Sequence, residues 1–502
     1  MKINPLTAID FYKADHRRQY PKGTSEVYAN FTARSNSLAK VLSDHDGKVV
    51  VFGVQYLIKH FLQEVWDENF FKLQKKKIVN DYKYRMDNAL GPDIITVEHI
   101  ESLHDLGYLP IRIKALPEGA RVPMGVPILT IVNTDPDFFW LTNYIESVVS
   151  CYLWKPMTSA TTAFEFRRLL TNYALKTGSD LDFVRFQAND FSFRSSSSLQ
   201  DAFMTGAAHL TSFVGTANVP GIDMLECYYN ANSAEKRIGF SIPSTEHSVI
   251  SMGTKDGELE TFKRLITEIY PKGIVSIVSD TWDFWRVITE FVNILKDEIL
   301  NRDGKVVIRP DSGDPIKIVC GDENALKGTP EHKGAIQCLW DIFGGSITKT
   351  GYKLLDQHIG LIYGDSISLD RAEAILKKLK SNGFASSNIV FGIGSNAYQS
   401  VTRDSFGFAM KTTSGVVNGQ RRDVFKDPKT DDGTKKSAKG LLRVEKEGGN
   451  YVLYDQQTEE QETQGELEVV FENGKLIKDQ TLCEIRDRID KEIDIMLKKQ
   501  KY

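Results

Sequence analysis

Between about residue 180 and residue 400 the chain repeats one pattern. A short apolar or alternating run breaks into polar or glycine-rich residues, and a stretch with helical spacing usually follows. The runs are FVRFQANDFSFR (183–194), SFVGTAN (212–218), GFSIPSTEHS (239–248), IVSIVSDTWD (274–283), KVVIRPDSG (305–313), HIGLIYGDS (358–366) and IVFGIGSN (389–396). Strands alternating with helices predict a parallel α/β sheet, and this many units predict a closed or nearly closed barrel. In such a barrel the loops at the carboxyl ends of the strands build the functional site.

The flanks read differently. Residues 51–74 (VFGVQYLIKHFLQEVWDENFFKLQ) have apolar positions three and four apart, which predicts a helix. Residues 111–134 read as short strands joined by Pro/Gly turns, and 138–154 are apolar nearly all round, as a buried helix or an oligomer contact would be. After about residue 405 come a lysine-rich polar loop (424–440), two strand-like runs, one with an Asn-Gly turn, and a closing amphipathic helix (483–500). The expected division is therefore 1–150, 151–405 and 406–502, with the C-terminal strands free to join the early β unit.

Composition narrows the class. With 502 residues, 41% hydrophobic and 26% charged, the chain has ample core for more than one structural unit. A net charge of −4 and a pI near 6.2 give no global nucleic-acid or membrane signature. The five cysteines are scattered and lack CxxC spacing, which suits a reducing compartment and not a disulfide framework. The first sixteen residues lack the apolar stretch of a signal peptide, and no run of 18 apolar residues occurs, so the expected location is the cytoplasm.

The chemistry gathers at the strand ends. Asp280, Asp311 and Asp365 each follow an apolar run. One such aspartate is commonly a helix cap, but three at a shared mouth can hold Mg²⁺, bind ribose hydroxyls or serve a glycosidase. Arg194, Arg309 and Arg403, followed by Lys411, Lys426 and the Lys435/Lys436/Lys439 group, argue against neutral sugars and for phosphate. Gly392 and Gly394 sit between a strand and a helical stretch, where backbone N–H groups can approach a phosphate; Ala397 at the third position excludes a GxGxxG fingerprint. His247 follows a strand beside Glu246, and no HxH or HExxH pattern suggests a histidine metal site. Phe191 and Phe193, beside Arg194, are core residues by default but could stack a planar ring.

Taken together, DFYKADHRRQYP, NTDPDFFWLTNYIES, DFSFRSSSS, STEHSVI, SDTWDFW, IRPDSGDP, YGDS, TRD and VFKDP resemble the nicotinamide phosphoribosyltransferases, type II phosphoribosyltransferases close to nicotinate phosphoribosyltransferase. The motifs run in order from residue 10 to about 440. The resemblance implies an α/β-barrel-like catalytic domain beside a mixed α+β domain built from N- and C-terminal segments. It also implies a homodimer with shared active sites. The implied reaction moves 5-phosphoribosyl from phosphoribosyl pyrophosphate (PRPP) to nicotinamide, with Mg²⁺, and with ATP as coupling co-substrate through a phosphohistidine at His247.

By the same resemblance Phe193 stacks the pyridine ring, opposite Tyr12 of the partner subunit, with Asp10 and Arg194 also in the substrate site. Arg309 contacts the carboxamide, Asp311 and the Gly364-Asp365 turn hold the ribose, and Asp280 and Asp311 lie near Mg²⁺. Gly392 and Gly394 cradle the 5-phosphate, while Arg34, Arg403, Lys411 and Lys426 face the pyrophosphate. Nicotinamide-specific relatives carry an Asp where this chain has Ala217, with Asn218 adjacent, so a nicotinate or relaxed-specificity enzyme is the first alternative. A catalytically silent dimeric homologue is the second.

Overall fold

The computed structural model describes residues 3–426, 430 and 437–499. Two sheets organise it. The first has seven antiparallel strands in the order Gln420–Asp423, Ala409–Val417, Thr24–Thr32, Pro127–Asn133, Ile111–Ala115, Glu468–Glu472 and Lys475–Leu476. Strands from both ends of the chain thus share one ladder: Phe31 pairs with Met410, and Phe471 with Ile113. Its apolar residues, the helical run 54–71 and the helices Lys75–Leu90 and Leu482–Lys499 supply one continuous core.

The second sheet is parallel, with six strands in the order Gly215–Thr216, Ala188–Asp190, Ile389–Ile393, Ile359–Tyr363, Asp303–Arg309 and Lys272–Val278. The segment 240–244 bridges its two edges, through Gly215↔Phe240 on one side and Ser244↔Ser276 on the other, so the curled sheet is nearly closed. The alternation in GFSIPSTEHS predicts a full strand there; only isolated bridges form, since Pro243 has no N–H to give a ladder.

A single helix, Glu146–Thr177, joins the two units. Val149, Leu153 and Met157 pack in the first core, while Phe166, Leu170 and Ala174 pack in the core of the parallel sheet. The helix runs straight through position 150/151. Met204, Ala207 and Leu225, from helices that follow strand Ala188–Asp190, and Tyr229 just after the second of them also belong to the first core. The two units are therefore interlocked through buried surface.

Candidate active site

Register brings the carboxylates together. Strands Lys272–Val278 and Asp303–Arg309 pair residue for residue, with Val278 opposite Arg309. Two residues beyond each strand stand Asp280 and Asp311, and the Asp311 backbone N–H donates to Asp280 Oδ2 at 3.0 Å. The Ser312 hydroxyl donates to the same oxygen at 2.6 Å. The other oxygen, Oδ1, is buried without a partner and lies 3.8 Å from His247 Nε2. Burial of Asp311 lifts its pKa above the ordinary carboxylate range, Arg309 opposes that shift and Asp280 adds to it.

The rest of RPDSGDP holds this geometry. Gly313 has φ +90°, which only glycine takes without strain. Asp314 is the plain helix cap: it accepts from the N–H groups of Ile316 and Lys317, with Pro315 in the first turn. The Tyr363 hydroxyl, on the neighbouring strand, lies 3.0 and 2.9 Å from the carbonyl oxygens of Ser312 and Gly313. The Arg309 guanidinium donates to the Thr245 carbonyl, and its Nε is buried without a partner.

These residues open on a cavity of about 730 Å³ at the carboxyl ends of the parallel strands. Phe193, Arg194, Ala217, His247, Arg309, Asp311, Gly364, Asp365 and Gly394 all line it. A second cavity of about 450 Å³, with apolar walls including Phe186, Phe240, Ile274 and Val307, runs inward behind it. Phe191, Ala217, Ser244 and Arg309 line both, so they stand at the junction. Asp280 lies just behind the wall, its side chain 6% exposed.

Three expectations change. Phe193 is on the rim, 39% exposed, whereas Phe191 is the aromatic at the junction. Gly392 is absent from the lining: it is buried in its strand, where an added Cβ would stand 2.3 Å from the Phe191 ring and 2.8 Å from Gly364 Cα. Its missing side chain makes room for Phe191, and of the two glycines Gly394, with Ser395 and Asn396, lines the mouth. Asn218 is fully buried and donates to Asp190 Oδ2 and the Ala202 carbonyl, both at 3.0 Å, so it cannot reach a base beside Ala217.

The remaining predicted residues lie elsewhere on the chain. Tyr12 is 59% exposed, with its hydroxyl 3.4 Å from Asp10 Oδ2, and neither residue lines the mouth. Arg34 and Lys411 line a small recess of about 60 Å³ with Asn30 and Thr32. Burial lowers the Lys411 pKa, and Arg34, Lys426 and Arg403 lower it further while Glu146 opposes, so these four cations are neighbours. Lys435 and Lys436 lie outside the described residues; Lys439 reaches over the Phe425 ring. Among the described residues no three His, Cys, Asp or Glu side chains cluster as a metal site. No described helix is long and apolar enough to cross a membrane.

Comparison with known proteins follows the same lines. Residues 186–475 match the nicotinate phosphoribosyltransferase (NAPRTase) family, and residues 4–113 match the N-terminal domain of nicotinamide phosphoribosyltransferase. A nicotinamide phosphoribosyltransferase of Acinetobacter baylyi is 60% identical over 499 residues, covering 98% of each chain. Another, of Xanthomonas campestris, is 32% identical over 97% of this chain and 98% of its own. In fold the chain resembles a nicotinate-nucleotide pyrophosphorylase of Pyrococcus furiosus (TM-score 0.58, 14% identity, covering 98% of this chain and 96% of that one). It also resembles human nicotinic acid phosphoribosyltransferase (TM-score 0.55, 14% identity, covering 96% and 92%). With its strand-end carboxylates, its arginine and its near-full-length likeness to these enzymes, the chain belongs to the nicotinamide phosphoribosyltransferase family.

Proposed function

We propose that this chain transfers the 5-phosphoribosyl group of PRPP to the pyridine nitrogen of nicotinamide, giving nicotinamide mononucleotide and pyrophosphate in NAD salvage. The observation that carries the reading is the mouth itself, where one parallel register sets Asp280 behind Arg309 and Asp311, with His247 3.8 Å from Asp280 and the Phe191 ring in the same lining. Phe191 packs one face of the base, and Arg309 donates to its carbonyl oxygen. Asp311 and Asp365 accept from the ribose hydroxyls, and the backbone from Gly394 to Asn396 meets the 5-phosphate. Holding the ring nitrogen in line with the anomeric carbon converts a weak nucleophile into an effective one. As the C–N bond forms, the C–O bond to pyrophosphate breaks and the leaving group carries away the electron pair.

Asp280 and Asp311 are the two carboxylates that would hold Mg²⁺, and the unpaired Asp280 Oδ1 suits such a donor. Bound there, Mg²⁺ would neutralise charge on the departing pyrophosphate. We assign ATP coupling to His247, whose imidazole would take the γ-phosphoryl group, releasing ADP and a proton. The Arg34, Arg403, Lys411 and Lys426 cluster stands apart from this mouth, with none of the four in its lining. A homodimer that lends this cluster and Tyr12 to the partner's mouth gives both a use. Five free cysteines support a reducing cytoplasmic location.

Ala217 at the junction favours one second reading, a nicotinate or relaxed-specificity enzyme. A crystal structure with nicotinamide mononucleotide tests the site. The ring should lie against Phe191 with its carboxamide at Arg309; product bound outside the mouth would contradict the assignment.

A further inference from the structure

We propose that the Ser244 hydroxyl selects the amide form of the base, in place of a carboxylate at position 217. The inference rests on the mouth being the nicotinamide site. Ser244 stands at the junction of the two cavities with Phe191, Ala217 and Arg309, so a ring held on Phe191 has its substituent among these residues. Ala217 has no polar side-chain atom, and Asn218 is turned into the core.

Ser244 Oγ lies 3.1 Å from the Ile242 carbonyl oxygen. A carbonyl can only accept, so the hydroxyl proton is committed there and the serine oxygen offers lone pairs alone. The backbone is held as firmly. Ser244 bridges to Ser276, the Ser276 N–H donates to the Pro243 carbonyl at 2.9 Å, and the Thr245 N–H donates to the Ser276 carbonyl at 3.0 Å. Thr245 Oγ accepts from the Val278 N–H at 2.9 Å, and the Thr245 carbonyl receives the Arg309 guanidinium.

Among the side chains that line both cavities there is one donor group, the Arg309 guanidinium, and one acceptor, Ser244. A carboxamide matches both, its oxygen accepting from arginine and its NH₂ donating to serine. A carboxylate has only acceptors. To pair its second oxygen, the Ser244 hydroxyl would have to leave the Ile242 carbonyl; otherwise two lone-pair-bearing oxygens face each other.

The test compares kcat/KM for nicotinamide and for nicotinate in the wild type, Ser244→Ala and Ser244→Thr. Ser244→Ala should lower the nicotinamide-to-nicotinate ratio roughly five- to tenfold, the range expected for one lost hydrogen bond. Ser244→Thr keeps the hydroxyl and should keep the ratio. A ratio unchanged within twofold in Ser244→Ala, including equal losses for both bases, would overturn the proposal, as would its collapse in Ser244→Thr. If the wild type makes no mononucleotide from either base, the functional reading itself fails; an active wild type with an unchanged ratio in the alanine variant sinks only the role of Ser244.

Discussion

Asp280 and His247 face each other with 3.8 Å between a buried, unpaired carboxylate oxygen and the imidazole Nε2. The second carboxylate oxygen already accepts from Asp311 and Ser312, so the aspartate links the histidine to the RPDSGD loop. If His247 carries the coupling phosphoryl group, His247→Ala should bring the ratio of rates with and without ATP down to about one. Acid-labile ³²P incorporated from γ-labelled ATP into wild type and not into the variant would agree. Persistent ATP stimulation in the variant would refute the role.

Gly392 should be intolerant of any side chain, although it does not line the mouth. A Cβ there meets Phe191 at 2.3 Å and the Gly364 backbone at 2.8 Å, so Gly392→Ala must push the ring into the mouth. We expect KM for the base to rise at least tenfold, with about 1–3 kcal/mol lost from stability as in other overpacked cores. Steady-state kinetics and a denaturant melt would measure both.

The proposed sharing of sites between subunits predicts complementation. Arg309→Ala removes a residue of the mouth, and Lys411→Ala removes one of the separate cation cluster. Each alone should be nearly inactive. Unfolded together and refolded as a mixture, they should recover about a quarter of wild-type activity, because half the dimers are mixed and each of those has one intact site. No recovery would place both residues in one subunit's site.

Glu118 supplies a pH dependence away from the chemistry. It is fully buried, which pushes its pKa up to about 7, although it accepts from the N–H groups of Gly53 and Gln55. A carboxyl raised in this way favours the folded state while protonated, fully below its unfolded pKa, and that contribution is lost as pH rises through about 7. Stability should therefore fall between pH 5.5 and 8, and Glu118→Gln should flatten the slope. Tm across that range, in both proteins, is the measurement.

Much of this was legible in the residues. The apolar runs gave the parallel strands, and the polar strand ends gave a mouth containing Arg309, Asp311, Asp365 and His247. The cap raised as the alternative for these aspartates falls instead to Asp314, which the sequence reading did not single out. What sequence could not show depended on side-chain direction and close approach. After Asp190 the chain enters a 3₁₀ turn at Phe193–Ser195, so strand alternation no longer tells which phenylalanine points inward. Gly392 reads as a phosphate cradle until Phe191 is seen to lie on it. Asn218 looked available beside Ala217 because nothing local reveals its bond to Asp190, 28 positions away. Ser244 carried no signal beyond standing three residues before His247, since its role depends on a seam that joins the two sheet edges.

The most direct measurement is mononucleotide formation from PRPP and Mg²⁺, with nicotinamide and nicotinate offered in parallel, with and without ATP. Nicotinamide mononucleotide and pyrophosphate should form in equal amounts, faster with ATP, with a clear preference for the amide. No product from nicotinamide, or a preference for nicotinate, would contradict the proposed function.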